Sequence, residues 1–411
     1  MKKSIDQITV RGKRVLIRLD LNVPLDGTGR ITDDRRIRAA LPTVKKLVEG
    51  GGRLVIMSHL GRPDEEPEHK HKYTLAPVAA RLGELLGRPV ELLPDCVGPA
   101  VAAAVARLQD GQACMLENVR FHPAETIKDK KTAEKPTLKQ EKESFARQIA
   151  DLGDVYVNDA FGTCHRDNAS MFTVPQRMQG KPRVVGYLVQ RELKFLGETV
   201  ANPKRPFVCV LGGAKVSDKL GVIRSLLTKC DAILVGGAMA YTFLAADGKP
   251  VGKSRTEPDL FGTARSLRSE AGDRLRLPMD SVVASRIEPT AATQVCGDTI
   301  PSDLMGLDIG PRTVAAYCDV LLSAATIVWN GPMGVFETPP FDAGTMAVAR
   351  AVAEATGRGA VTIVGGGDSA AAIEKAGLAD KMTHVSTGGG ASLEFLEGKR
   401  FAAIDVLDDL L

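Results

Sequence analysis

The sequence predicts an α/β protein of two Rossmann-like domains, each a parallel sheet flanked by helices, joined by an interdomain helix and bilobal with a central cleft. Three observations predict it. Short β-branched runs alternate with Ala- and Leu-rich stretches of helical period along most of the 411 residues, the pattern of repeated βα units that form covered parallel sheets. The runs fall into two groups, one before about residue 170 and one after about residue 205. The length also suits two or three domains at roughly 100–200 residues each.

In the first group, Arg14–Leu19, Leu54–Ser58, Cys114–Glu117 and Val155–Asn158 read as strands or strand ends, with helices at Arg36–Glu49 and Leu75–Leu86. The second group begins with a strand at Phe207–Leu211, a helix at Lys219–Lys229 and strands at Ala232–Val235, Val282–Ala284 and Thr326–Trp329. It continues with a helix at Thr345–Thr356, a strand at Val361–Val364, a helix at Ser369–Ala376 and a strand at His384–Ser386. Between the groups, Tyr187–Val200 has an amphipathic helical pattern followed by Asn-Pro, the expected interdomain helix. Domain bounds follow at 1–186, 187–200 and 201–392. The polar, Lys-rich run Glu125–Ser144 is expected to be a solvated surface loop.

Composition narrows the function. Hydrophobic residues are 44% and charged residues 25%, ordinary globular usage that excludes global disorder. Lys+Arg exceeds Asp+Glu by 54 − 50 = 4, too balanced for coating nucleic acid or an anionic membrane. Aromatics are 4%, with Trp329 the one tryptophan, which argues against stacking platforms for single strands. The start MKKSIDQITV lacks an apolar core, and no run of about 18 apolar residues occurs. Seven scattered cysteines without a Cys-x-x-Cys, and six His without metal-ligand spacing, fit thiols in a reducing cytoplasm.

In open α/β sheets, ligands sit beyond the carboxyl ends of the strands. In the first half those loops carry cations. Arg18 precedes Asp20 and Asn22, Arg36 opens the next helix, His59 stands with Arg62, Arg120 with His122, and His165 with Arg166. Guanidiniums converging on one crevice suit a small, multiply anionic ligand, with Asp20 and Asn22 placed to fix a hydroxyl. In the second half the loops carry glycine: Gly212-Gly213-Ala214-Lys215, Gly236-Gly237, Gly331-Pro332-Met333-Gly334, Gly365-Gly366-Gly367-Asp368 and Gly388-Gly389-Gly390. Glycine lets backbone amides approach phosphate, and five such loops indicate a polyphosphate, most simply a nucleotide. Lys215 and Lys219 are four apart and are expected on one helical face. Asp368 among phosphate-binding amides calls for a bridging Mg²⁺.

Two motifs are set aside. Gly248–Ser254 resembles a Walker A loop but has three residues between its glycines where four are needed. Gly365-x-Gly367-x-x-Ala370 matches a dinucleotide fingerprint, but no acidic residue ends the next strand. A small-anion domain and a nucleotide domain together describe phosphoryl transfer by hinge closure. A nicotinamide-dependent dehydrogenase and a non-catalytic nucleotide-binding protein on the same fold are the alternatives.

The motifs RLDLNVP (18–24), SHLGRP (58–63), ENVRFH (117–122), NDAFGTCHR (158–166), LGGAKVSDK (211–219), GLDIGP (306–311), WNGPMGVFE (329–337), GGGDS (365–369) and STGGGASLEFLEGK (386–399) together resemble the phosphoglycerate kinase family. The resemblance implies reversible transfer of a phosphoryl group from 1,3-bisphosphoglycerate to ADP, giving 3-phosphoglycerate and ATP, with Mg²⁺. It implies a substrate site of Asp20, Asn22, Arg36, His59, Arg62, Arg120 and Arg166. It implies a nucleotide site of Gly212, Gly213, Ala214, Lys215, Lys219, Gly236, Gly237, Gly306, Leu307, Asn330, Pro332, Gly334, Val335, Glu337, Gly366, Gly367, Asp368 and Ser369. Within that site Glu337 faces the ribose and Asp368 the metal. Arg36, Lys215, Gly366 and Gly389 are the expected catalytic positions, acting by charge stabilisation without a general base. The family is monomeric, with residues 393–411 returning to the first domain. This chain departs from the family pattern at Asp167-Asn168, where Ala-His is usual, at Cys164, and in the length of 125–144. Asp167 beside Arg166 is expected to weaken the field that attracts substrate.

Overall fold

A computed structural model describes residues 1–410. The chain divides into two units, one formed by Met1–Leu193 with the segment from Arg400 onward, the other by Lys194–Lys399.

The first unit is built on a six-stranded parallel sheet ordered Val90–Leu92, Ala113–Met115, Arg53–Met57, Arg14–Leu19, Val155–Asp159, Arg183–Val185. Its two central strands lie in register through Val15↔Val155 and Arg18↔Asn158, and both are buried on both faces, as a sheet covered by helices requires. Helix Arg35–Glu49 packs Ile37, Val44, Leu47 and Val48 onto it. Because the strands are parallel, the loops after residues 19, 57, 115 and 159 leave from one edge; His59, Arg62, Arg120, His165 and Arg166 stand after strands there, while Arg18 is in strand Arg14–Leu19 and Arg36 in helix Arg35–Glu49.

The second unit has a parallel sheet ordered His384–Val385, Val361–Gly365, Thr326–Asn330, Phe207–Leu211, Ala232–Val235, Leu275–Arg276. Trp329 is fully buried in its core and donates its indole N–H to Gly331 O at 2.7 Å. The strand expected at Val282–Ala284 as part of a parallel sheet spans Ser281–Ala284 and instead pairs antiparallel with Gln294–Cys296 and Met305–Ile309 in a separate three-stranded sheet. The cause is its connections: it meets neighbours through turns rather than crossover helices.

Three further expectations are corrected. The 187–200 segment is helical but not uniformly α: Tyr187–Glu192 is α-helix and Leu193–Thr199 widens into a π-helix. Gly197, a weak helix former, lies in the widened part with the Phe395 ring against its backbone. The polar run at 125–144 is not a loop. A 3₁₀ turn at Pro123–Thr126 leads to helices Asp129–Glu134 and Pro136–Ala150. The latter buries Lys142, Phe145, Ala146 and Ile149 on one face. The return to the first unit begins at Arg400 rather than 393, because helix Gly390–Leu396 packs on Leu220–Leu227 of the second unit. From there Asp408 accepts Arg183 N at 2.9 Å and Asn158 Nδ2 donates to Ala403 O at 3.2 Å.

All seven cysteines are thiols, five of them buried and Cys296 and Cys318 half-buried. Among the described residues no helix is long and apolar enough to cross a membrane.

Candidate functional site

In the first unit the strand-end loops gather cations around His59. The ring is 3% exposed, and burial together with the charges of Arg18, Arg120, Arg166 and Arg36 holds its pKa well below the ordinary value. Arg18, fully buried, donates to Ser170 Oγ at 2.9 Å, to Leu19 O, and through Nη2 to His59 Nδ1 at 3.1 Å. Arg120 donates through Nη1 to Gly61 O at 2.6 Å, while its buried Nε has no protein partner. Burial and the fields of Arg166 and Arg18 bring its pKa down to about 10. Crowded like charges and an unmatched buried donor are costly in isolation; an anion relieves both.

Arg36 pairs with Asp20, and a Cβ at Gly162 would strike that carboxylate. Asn22 Oδ1 accepts the Gly61 N–H at 2.8 Å, tying two of these loops together. Arg166 is exposed, its Nε 3.3 Å from the His165 ring. Arg62 is also exposed and pairs with Glu65 at 3.0 Å. His122 turns elsewhere: its Nε2 lies 2.5 Å from Asp95 Oδ1 and its ring stacks on Phe145. Asp95, Cys96 and His122 bring their donor atoms within 4.8 Å of one another, a grouping that no spacing in the sequence signals. There the Cys96 thiol donates to Glu117 O at 2.9 Å.

Asp167 and Asn168 also face away from the expected role. Asp167 Oδ2 accepts the Asp129 N–H at 2.7 Å, and Asn168 Nδ2 donates to Glu125 Oε1 at 3.3 Å. Lys142 closes this contact, donating to Asp129 Oδ1 at 2.7 Å and Asp167 O at 2.6 Å. Two of the three departures expected from the sequence, the longer segment and the Asp-Asn pair, therefore hold each other.

In the second unit a cavity of about 320 Å³ is lined by Gly213, Ala214, Gly237, Gly306, Leu307, Pro332, Gly334, Val335, Glu337 and Asp368. Every one is a nucleotide position expected from the sequence. Lys253, Arg255 and Ile287 also line it; no strand-end pattern in the sequence marks them.

The loop glycines also tie the loops to one another. Gly212 N, Gly213 N and Gly237 N donate to Asn330 O, Pro332 O and Met333 O at 3.0, 3.2 and 2.8 Å, and Gly236 N donates to Leu211 O at 2.8 Å. Three loops thus interlock by their backbones, and a Cβ at Gly212, Gly237 or Gly331 would collide with a neighbouring main chain. Open N–H groups lie instead at the start of helix Gly367–Lys375, entered through Gly366 at φ +95°. Asp368 is exposed in that first turn and Ser369 Oγ accepts Gly331 N at 2.5 Å.

Lys215 and Lys219 do not share a helical face, since the helix starts only at Leu220. Lys215 is exposed, whereas Lys219 is 8% exposed, donates to Asn330 Oδ1 and has a pKa lowered by burial. Asn330 Nδ2, buried beside Gly366, has no protein partner. Gly389, at φ +50°, is the N-cap of helix Gly390–Leu396.

A family model described as phosphoglycerate kinase matches residues 5–399. The chain is 52% identical to the phosphoglycerate kinase of Rhodopirellula baltica, over 99% of both chains. It is 50% identical to that of Pelodictyon phaeoclathratiforme, over 99% of this chain and all of the relative. Among solved structures, phosphoglycerate kinase from Coxiella burnetii aligns over 99% of this chain and 98% of its own, with a TM-score of 0.85 and 40% identity. The enzyme from Pyrococcus horikoshii aligns over 98% of both, with a TM-score of 0.82 and 31% identity. With family model, relatives and solved structures all matching over nearly the whole length, the chain belongs to the phosphoglycerate kinase family.

Proposed function

We infer that the chain is a phosphotransferase that moves the acyl phosphate of 1,3-bisphosphoglycerate to ADP, reversibly giving 3-phosphoglycerate and ATP. The observation that carries this is the convergence of Arg18, Arg36, Arg120 and Arg166 on a neutral His59, with an unmatched Arg120 donor among them. That basket suits a phosphorylated carboxylate, and Asp20 and Asn22 stand beside it for a hydroxyl.

The nucleotide is read into the second unit's cavity, its phosphates toward the start of helix Gly367–Lys375 and its ribose toward Glu337. Asp368 is an exposed carboxylate in the first turn of that helix, and Lys253 and Arg255 are the cations lining the same cavity. One carboxylate with waters and phosphate oxygens is a donor set that suits Mg²⁺, and the bound ion supplies charge neutralisation on the phosphates.

The acceptor in the direction of ATP use is a carboxylate, ionised at neutral pH, so no general base is required. Catalysis rests on positioning and on charge stabilisation of the transferring phosphoryl by Arg36, Lys215 and the N–H groups near Gly366 and Gly389. Each unit holds groups for one ligand, so transfer requires the ligands to meet by hinge closure, which also shields the acyl phosphate from water. We place the protein in the cytoplasm as a monomer, a setting that its thiols suit. Family membership leaves the dehydrogenase alternative without support. A coupled assay with ATP and 3-phosphoglycerate tests the reading. Turnover that depends on both substrates is expected, and its absence in folded protein overturns it.

A further inference from the structure

We propose that Glu125 is a positioning residue for the anion basket: through Ser170 it aims the Arg18 guanidinium at His59, and so fixes which imidazole nitrogen is left for a ligand. The inference rests on the substrate reading above and extends it to residues outside the basket.

Glu125 is fully buried in the 3₁₀ turn Pro123–Thr126. Its Oε2 accepts the Ser170 N–H at 2.8 Å, and its Oε1 accepts the Ser170 hydroxyl at 2.6 Å and Asn168 Nδ2 at 3.3 Å. Tyr156 donates its hydroxyl to Ser170 O at 2.8 Å, so Ser170 is held on three sides. A hydroxyl has one hydrogen. With that hydrogen given to Glu125, Ser170 Oγ turns a lone pair to Arg18 Nε, 2.9 Å away. Arg18 Nη1 is occupied by Leu19 O, which leaves Nη2 directed at His59 Nδ1, 3.1 Å away.

A guanidinium donates and cannot accept. His59 Nδ1 must therefore be the acceptor, without a proton. The ring is neutral under burial and four surrounding guanidiniums, so its single proton sits on Nε2. His59 then offers the ligand a neutral N–H donor of fixed direction rather than an imidazolium. The carboxylate of Glu125 is essential to this order. A glutamine there would present an amide N–H to Ser170, compete with Arg18 Nε and let the hydroxyl reverse.

The experiment uses the full chain as E125Q, S170A and S170T. Imidazole ¹⁵N spectra of the ligand-free enzyme report the His59 tautomer, and steady-state kinetics report KM for 3-phosphoglycerate and ATP separately. In the wild type, Nδ1 should be bare and Nε2 protonated. E125Q and S170A should mix the tautomers and raise the KM for 3-phosphoglycerate about tenfold, the weight of one buried hydrogen bond. KM for ATP and kcat should stay within about threefold, and S170T should restore both readouts. If E125Q does not fold, S170A, which removes one oxygen, carries the test. An unchanged tautomer in S170A overturns the relay. A changed tautomer with unchanged KM overturns the placement of His59 against substrate. A parallel loss in both KM values and kcat, with lowered Tm, shows a merely structural role and overturns the proposal as well.

Discussion

Asp308, 1% exposed, accepts the Gly344 N–H at 2.6 Å with one carboxylate oxygen and the Ile309 N–H at 2.9 Å with the other. It thereby ties strand Met305–Ile309 to the first turn of helix Ala343–Gly357. A Cβ at Gly334 or Gly344 would run into this carboxylate. The neighbouring Leu307 and Val335 both line the cavity and are joined by a 2.9 Å backbone hydrogen bond. Burial, the largest cause, pushes the Asp308 pKa up to about 7.

The sign of the resulting pH dependence is definite. The unfolded carboxyl titrates near 3.8 and the folded one near 7, so between these values the folded state binds the extra proton. Stability from this group falls as pH rises across that window, by at most about 4 kcal/mol. Urea unfolding at pH 5 and pH 8 should show a smaller decline in Asp308→Asn than in wild type. Parallel declines would mean that Asp308 does not titrate there.

Arg36→Ala should lower kcat by about 10²–10³, the usual loss for one charge stabiliser of about 2.7–4 kcal/mol, with a much smaller change in KM. Its partner Asp20 is left without its counter-charge in that variant. A kcat within threefold of wild type would remove Arg36 from the reaction.

Asp368→Ala should weaken the magnesium complexes of ADP and ATP far more than the metal-free nucleotides, because a carboxylate near phosphate is repulsive without a cation. Calorimetry in magnesium and in chelator separates the two. Equal weakening in both would show that Asp368 holds no metal.

Lys142→Met should destabilise by about 1–3 kcal/mol, since it leaves the Asp167 carbonyl and the Asp129 carboxylate without their donor. From the sequence, Asp167→Ala with Asn168→His is expected to tighten 3-phosphoglycerate binding at low salt. The structure commits both side chains to the 125–142 segment, so the double variant should lose stability and gain no affinity. Chemical denaturation and low-salt calorimetry are the checks; tighter binding at unchanged stability would restore the electrostatic view.

Small-angle scattering of the free, singly liganded and doubly liganded enzyme should show the largest compaction with 3-phosphoglycerate and nucleotide together. An equal radius of gyration in the free and doubly liganded states would end the hinge-closing account.

What the sequence made legible follows from period and position. Phe207–Leu211 is a continuous apolar run and Arg14–Leu19 a largely apolar one holding Arg14 and Arg18, and both are strands with the expected bounds. Eight glycine-loop and neighbouring positions meet at one cavity because parallel strands send their loops to one edge, and Gly306 and Leu307 of the antiparallel strand Met305–Ile309 join them there. The misreadings share a cause: they depend on partners distant in sequence. Lys142 reads as solvated because its ligands are Asp129 and the Asp167 carbonyl. Ser281–Ala284 reads as a parallel strand because pairing direction leaves no local mark. The second task of Gly212, Gly237 and Gly331, close approach to a neighbouring main chain, is hidden for the same reason.

The distribution of thiols makes the chain its own opening gauge. Cys96, Cys114 and Cys164 are sealed inside the first unit, and Cys209 and Cys230 inside the second, while Cys296 and Cys318 are half-buried. A brief pulse of alkylating reagent should mark chiefly the latter two in the native protein. As denaturant rises, the order in which the other five become labelled, read by peptide mass, states which unit opens first and whether the two let go together. No label has to be engineered, and the same count taken with ligands present shows which unit each ligand holds shut.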